Sequence, residues 1–151
     1  MALTAKGVKP ICHFQQKFQS LYVFGAFSPI TGEHFVLELP VCNSQVFQIY
    51  LDEFSLYKPK VLKILLLDNG AFHNAKLLKI PDNIVLVFIP PYSPELNPSE
   101  KVWWKWKREF SGKVFKSLDQ ISKFINKQTL KISNSTIKKL CGYDYILSFV
   151  F

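Results

Sequence analysis

Two carboxylates stand where an ion could be held. Asp68 closes an apolar run, VLKILLL at residues 61–67, and is followed by Asn69 and Gly70. Glu100 ends a proline-rich string, IPPYSPELNPSE at residues 89–100. Carboxylates with water are natural ligands of Mg²⁺ or Mn²⁺. Two such ions, about 3.5–4 Å apart, clamp the attacking and leaving oxygens of a phosphodiester exchange. Each acid also has an ordinary explanation. An Asp after a strand caps the following turn. A Glu at the third position of a helix completes a capping box and is favoured there by the helix dipole.

Other residues surround this pair. His73, five positions after Asp68, can orient a carboxylate, bind phosphate or cap a short helix. His13 and His34 have no nameable partner. Trp103, Trp106 and Phe110 share one helical face and read as core. Trp104 with Lys105, Lys107 and Arg108 reads as a surface that stacks on bases and pairs with phosphates.

The elements that must position these residues follow from pattern. Residues 20–27 and 33–39 read as an antiparallel hairpin across the turn at Pro29–Gly32. In the second strand Phe35, Leu37 and Leu39 alternate with His34, Val36 and Glu38. Asn43 or Ser44 caps a helix to about Phe54, with Val46, Phe47, Tyr50, Leu51 and Phe54 on one face. Residues 61–67 and 84–89 are apolar almost without alternation, as expected of central strands covered on both faces. A short helix is expected at 73–78. Pro90 and Pro91 end the second of these strands, because proline offers no amide to a ladder. Asn97 as cap, Pro98 at the first helical position and Glu100 at the third open a helix to about Phe110. Further helices are expected at 118–129 and 135–140, then an apolar tail over 142–151. The order is that of a mixed-sheet α/β fold.

Composition sets the outer limits. The 151 residues are 48% hydrophobic, enough for one domain with a sizeable core. The net charge is +8, and its distribution matters more than its size. Residues 1–100 hold eight Lys and eight acids, so the whole excess lies in residues 101–151, where eleven Lys/Arg face three acids. That asymmetry points to a polyanion, or to a lysine-rich soluble surface. The three cysteines, Cys12, Cys42 and Cys141, form no C-x-x-C, so neither a zinc site nor a disulfide framework is indicated. No secretory leader and no stretch of the ~20 apolar residues that span a bilayer is seen. A cytoplasmic protein without a membrane partner is expected, nucleoid-associated if bacterial.

LLLDNGAFHNAKLL at residues 65–78, followed by IPPYSPELNPSEKVWWKWKREF at 89–110, resembles the catalytic domain of DDE-type transposases of the insertion-sequence and mariner-type superfamily. VFGAFSPITGEHFVLELP at 23–40 resembles the strand pair of the same domain. The likeness runs over roughly residues 5–130. It implies a ribonuclease-H-like mixed sheet flanked by helices, two divalent metal ions (Mg²⁺ or Mn²⁺) held by Asp, Asp and Glu, and DNA as substrate, both transposon ends and target. Such enzymes nick DNA with water and join the freed 3′-hydroxyl to a target. By position Asp68 is the second Asp and Glu100 the Glu. Asn69, His73, Pro91, Tyr92, Pro94, Asn97 and Pro98 fall on supporting positions.

The resemblance also implies a first Asp on an opening strand, yet no acid precedes Glu33. The expectation is a catalytic-domain fragment over residues 1–131, its opening strand missing, with a tail at 132–151 docked on it. It would cleave little DNA alone, and an upstream-encoded transposase part or another protomer would supply the missing Asp. The alternatives are a non-catalytic DNA-binding remnant using the basic last third, and a protein-interaction module presenting PPYSP to an aromatic groove.

Overall fold

In the computed structural model, residues 20–68 and 78–148 are described. The expected short helix at 73–78 falls almost wholly outside them. The first hairpin forms as its alternation dictates. β1 (Tyr22–Phe27) and β2 (His34–Leu39) pair antiparallel, from Tyr22 opposite Leu39 to Phe27 opposite His34. The turn closes through Ser28 N–H to the Glu33 carbonyl at 2.8 Å, with Gly32 at φ 76, where a side chain would be strained. α1 (Ser44–Leu56) is capped by Asn43, whose side-chain oxygen accepts from the Val46 amide at 2.9 Å.

Both faces of this hairpin are covered. Phe24, Ala26, Phe35, Leu37 and Leu39 pack on the α1 face formed by Phe47, Tyr50, Leu51 and Phe54. On the other side Val23, Phe27 and Val36 meet α2 (Ser99–Phe110) through Val102, Trp103 and Trp106. Gly25 permits that approach: a Cβ there would come 2.9 Å from the Trp103 ring. α3 (Leu118–Lys131), α4 (Asn134–Cys141) and the short α5 (Asp144–Leu147) follow. Ile132, Ile137 and Cys141 enter the α2 core, and Ile137 and Cys141 are fully buried. His34 bridges the layers, its Nε2 3.0 Å from the Thr129 carbonyl.

The second pair of strands departs from expectation. β3 (Lys63–Leu67) and β4 (Ile84–Phe88) pair parallel, Lys63 opposite Ile84 through Leu67 opposite Phe88. Leu65 and Ile84 are buried beneath α1. The opposite face is open: Ile64 is 71% exposed, and Val85 and Val87 are about 40% exposed. Among the described residues these strands are therefore covered on one face and not on both. α1 covers one side, while α2 and α4 are committed to the far side of the first hairpin. Among the described residues the two pairs form separate two-stranded sheets rather than one mixed sheet. The fold is α/β, with small sheets and flanking helices. No described helix is long and apolar enough to cross a membrane.

Candidate functional site

The site is built at the carboxyl end of the parallel pair. Ile89 donates its amide to the Leu67 carbonyl at 2.8 Å, so the first residue past β4 sits beside the end of β3. Asp68, the next residue of β3's chain, is exposed there. The chain past Ile89 leaves the same end and enters α2 after a corner of nine residues, 90–98. Carboxyl ends of parallel strands are where open α/β sheets hold their ligands.

The corner is stiff. Pro90, Pro91, Pro94 and Pro98 fix four φ angles. Residues Pro94–Leu96 form one 3₁₀ turn, closed by the Asn97 amide on the Pro94 carbonyl at 3.0 Å. Asn97 then turns its side chain forward and accepts the Ser99 amide at 3.1 Å, the capping role expected of it. Tyr92 stands at φ 59, the left-handed region that glycine and asparagine tolerate and a bulky side chain does not. Such a residue costs on the order of 1 kcal/mol.

Glu100 lies in the first turn of α2 and is exposed. A capping box would have its carboxylate accept the Asn97 amide. That amide is already bonded to Pro94, so a capping box does not account for Glu100, and only the favourable helix-dipole position is left as an ordinary explanation. Its carboxylate makes no hydrogen bond or ion pair among the described residues. What remains is a hard oxygen donor facing solvent, suited by type to Mg²⁺ or Mn²⁺.

The C-terminal segment braces this corner, which sequence reasoning missed. The Cys141 thiol donates to the Pro98 carbonyl at 3.6 Å, and the Tyr145 hydroxyl donates to the Leu96 carbonyl. Lys101 sits 4.1 Å from the Tyr143 ring centroid. Burial pushes the Cys141 thiol up to about 11, which the positive Lys101 partly opposes. The thiol stays protonated and remains a donor. A tail read only as apolar gives no signal of these polar contacts.

Cys42 is a second residue missed. Partial burial raises its thiol above the usual range, and the Asp68 carboxylate raises it further. The loop before α1 therefore comes within electrostatic reach of Asp68. A separation of 26 positions, with no spacing motif, hides this from the sequence.

Of the acids before Asp68, two are engaged elsewhere. Glu33 is held by an ion pair with Lys58, which lowers its carboxyl below the usual range. Asp52 accepts from Gln48 at 2.8 Å on α1. One Glu38 oxygen is buried with no hydrogen-bond partner among the described residues. Among those residues no group of three or more His, Cys, Asp or Glu side chains is gathered to hold a metal ion. Asp68 and Glu100 thus fit divalent-metal chemistry by donor type and fall short by number. Asn69 and His73 lie outside the described residues.

α2 carries the proposed DNA-facing side chains. Trp104, one turn after Glu100, is 59% exposed, with the Arg108 guanidinium 4.6 Å from its ring centroid. Lys107 is exposed; Lys105 is half-buried and pairs with Glu109 at 3.3 Å. Helical spacing puts Glu100, Trp104, Lys107 and Arg108 on one face. Trp103 and Trp106 turn inward, edge-on to Phe27, as their spacing implies. Phe110 stacks on Phe115.

The family model described as DDE superfamily endonuclease matches residues 2–122. The uncharacterized protein y4pE/y4sA of Sinorhizobium fredii (strain NBRC 101917 / NGR234) is 40% identical over 102 residues, 66% of this chain and 76% of that protein. No solved structure matches.

Proposed function

The chain belongs to the DDE superfamily endonucleases, and from that premise we propose that it is a DNA transposase catalytic-domain fragment in which Asp68 and Glu100 are two of three metal-holding carboxylates. The observation that carries the reading is the Glu100 carboxylate, unbonded among the described residues, at the head of the helix that follows the strand paired beside Asp68. When bound, two divalent ions supply activation of water and of the scissile phosphate. The chain's own part is positioning. Asn97 and the prolines fix the turn that carries Glu100, while Asn69 and His73 support Asp68. Trp104, Lys105, Lys107 and Arg108 hold the DNA, transposon end and target alike, through phosphate pairing and base stacking.

The proposed fold is ribonuclease-H-like, with residues 1–131 as the catalytic unit and 132–151 docked on it. Burial of Ile137 and Cys141 against α2 supports that docking. Among the described residues the two sheets share α1 and do not pair with one another, which leaves room in the reading for a further strand between them. That strand, from an upstream-encoded part or another protomer, would bring the third carboxylate, since no acid precedes Glu33 in these 151 residues.

Alone, the 151-residue chain is expected to nick little or no DNA. The test is relaxation of supercoiled plasmid in Mn²⁺ by the purified chain and by Asp68→Ala. Near-background nicking by both agrees with two carboxylates of three. Robust nicking that Asp68→Ala abolishes would keep the site and overturn the claim of incompleteness.

A further inference from the structure

Tyr92 is the most exposed large hydrophobic side chain of the described residues, at 102% of its reference area. It also has a left-handed backbone, at φ 59. No hydrogen bond or ring contact holds it among those residues. The fold thus carries a strained residue and receives no packing in return. Glycine or asparagine would meet the turn's backbone demand with less strain. A tyrosine there is explained by something outside the fold.

Its surroundings indicate what that is. Ile89 is bonded to Leu67 beside Asp68, and Tyr92 is three residues further on. Three extended residues span at most roughly 11 Å, so Tyr92 stays close to the carboxyl end of β3. The same corner leads to Glu100, Trp104 and the cations of α2. A proline-recognising protein groove reads a left-handed PPII ribbon, with φ near −75° throughout. Tyr92 at φ 59 breaks that ribbon in the middle of PPYSP. An aromatic face offered on a corner that leads into cations suited to phosphate is instead a platform for a base.

We propose that Tyr92 stacks on a nucleobase that has left the duplex next to the strand held at Asp68 and Glu100. The inference rests on the DNA reading above and adds an unpaired base as the feature recognised. The prolines on both sides fix the backbone that carries the ring, so little backbone ordering is lost on stacking.

The test uses the full chain, Tyr92→Asn and Tyr92→Phe, and a Lys107→Ala/Arg108→Ala variant. The probes are a fluorescein-labelled duplex with two unpaired nucleotides at one end and the same duplex blunt. Tyr92→Asn should melt at the same temperature or higher and bind the unpaired-end probe about tenfold more weakly, within the range for one stacked base. Its blunt-probe affinity should change little, and Tyr92→Phe should match the original chain. A 2-aminopurine in the unpaired position should be quenched by the original chain and not by Tyr92→Asn. A preference for the unpaired-end probe that survives in Tyr92→Asn, or a clear fall in its melting temperature, overturns the proposal. So does unchanged DNA binding by Tyr92→Asn with loss of binding to an isolated WW domain, which assigns the corner to a protein groove. Failure of the original chain to bind either probe, or indifference to the Lys107/Arg108 change, overturns the DNA reading itself. DNA binding that needs Lys107 and Arg108 but not Tyr92 overturns this inference alone.

Discussion

Glu100 and Asp68 differ in what the rest of the molecule does with them. Glu100 gives its helix a favourable first-turn charge and nothing more, because Pro94 already takes the Asn97 amide. Glu100→Gln should therefore cost about 0.5 kcal/mol or less in a urea melt. It should leave DNA affinity intact or raise it, by removing repulsion from phosphate. A loss of more than 1 kcal/mol would restore a capping role. Asp68 reports itself through Cys42. Two causes raise that thiol, burial first and the Asp68 charge second. Asp68→Asn should therefore lower the pH midpoint of Cys42 alkylation without returning it to the ordinary thiol value. An unchanged midpoint would separate the two residues. Asp68, Glu100 and Asn97 were legible in the sequence because local rules mark strand ends and helix starts. The Cys42 neighbourhood was not, since it depends on how a loop before α1 meets β3.

At the scale of elements, local pattern located the elements well and their covering less well. The alternation of β2 separates Phe35, Leu37 and Leu39 from His34, Val36 and Glu38 without telling that α1 and α2 cover both sides of the hairpin. β3 is nearly all apolar and is open on one face. Periodicity reports the side chains of a strand and not which helix arrives above them. The arrival of α2 rests on Gly25 and on Trp103 above it. Gly25→Ala should cost about 1–3 kcal/mol by overpacking against that ring, measured by chemical denaturation. Ile137 lies fully buried against α2, and Ile137→Ala should cost about 2–5 kcal/mol. Stability unaffected by Ile137→Ala would detach α4 from the body. The apolar tail was expected to dock; its polar bonds to Leu96 and Pro98 had no signature in the sequence.

At the scale of the molecule, the basic excess and the two half-sheets bear on the same reading. The +8 charge is confined to residues 101–151, which begin within α2. DNA binding should weaken steeply with salt, with a log–log slope near −0.9 per phosphate neutralised. Salt-independent binding would remove the cations of α2 from the account. The two sheets share α1, and in the proposed reading Asp68 and Glu100 work together with a third carboxylate. The central claim is that these two acids serve one metal site. Iron-mediated backbone cleavage tests it most directly, with Fe²⁺ standing in for Mg²⁺ and peroxide generating radicals at the bound ion. The account predicts cuts beside both residue 68 and residue 100, competed by Mn²⁺, and both lost in Asp68→Ala and in Glu100→Ala alike. Cuts at neither place, or cuts at one that survive removal of the other acid, would contradict it.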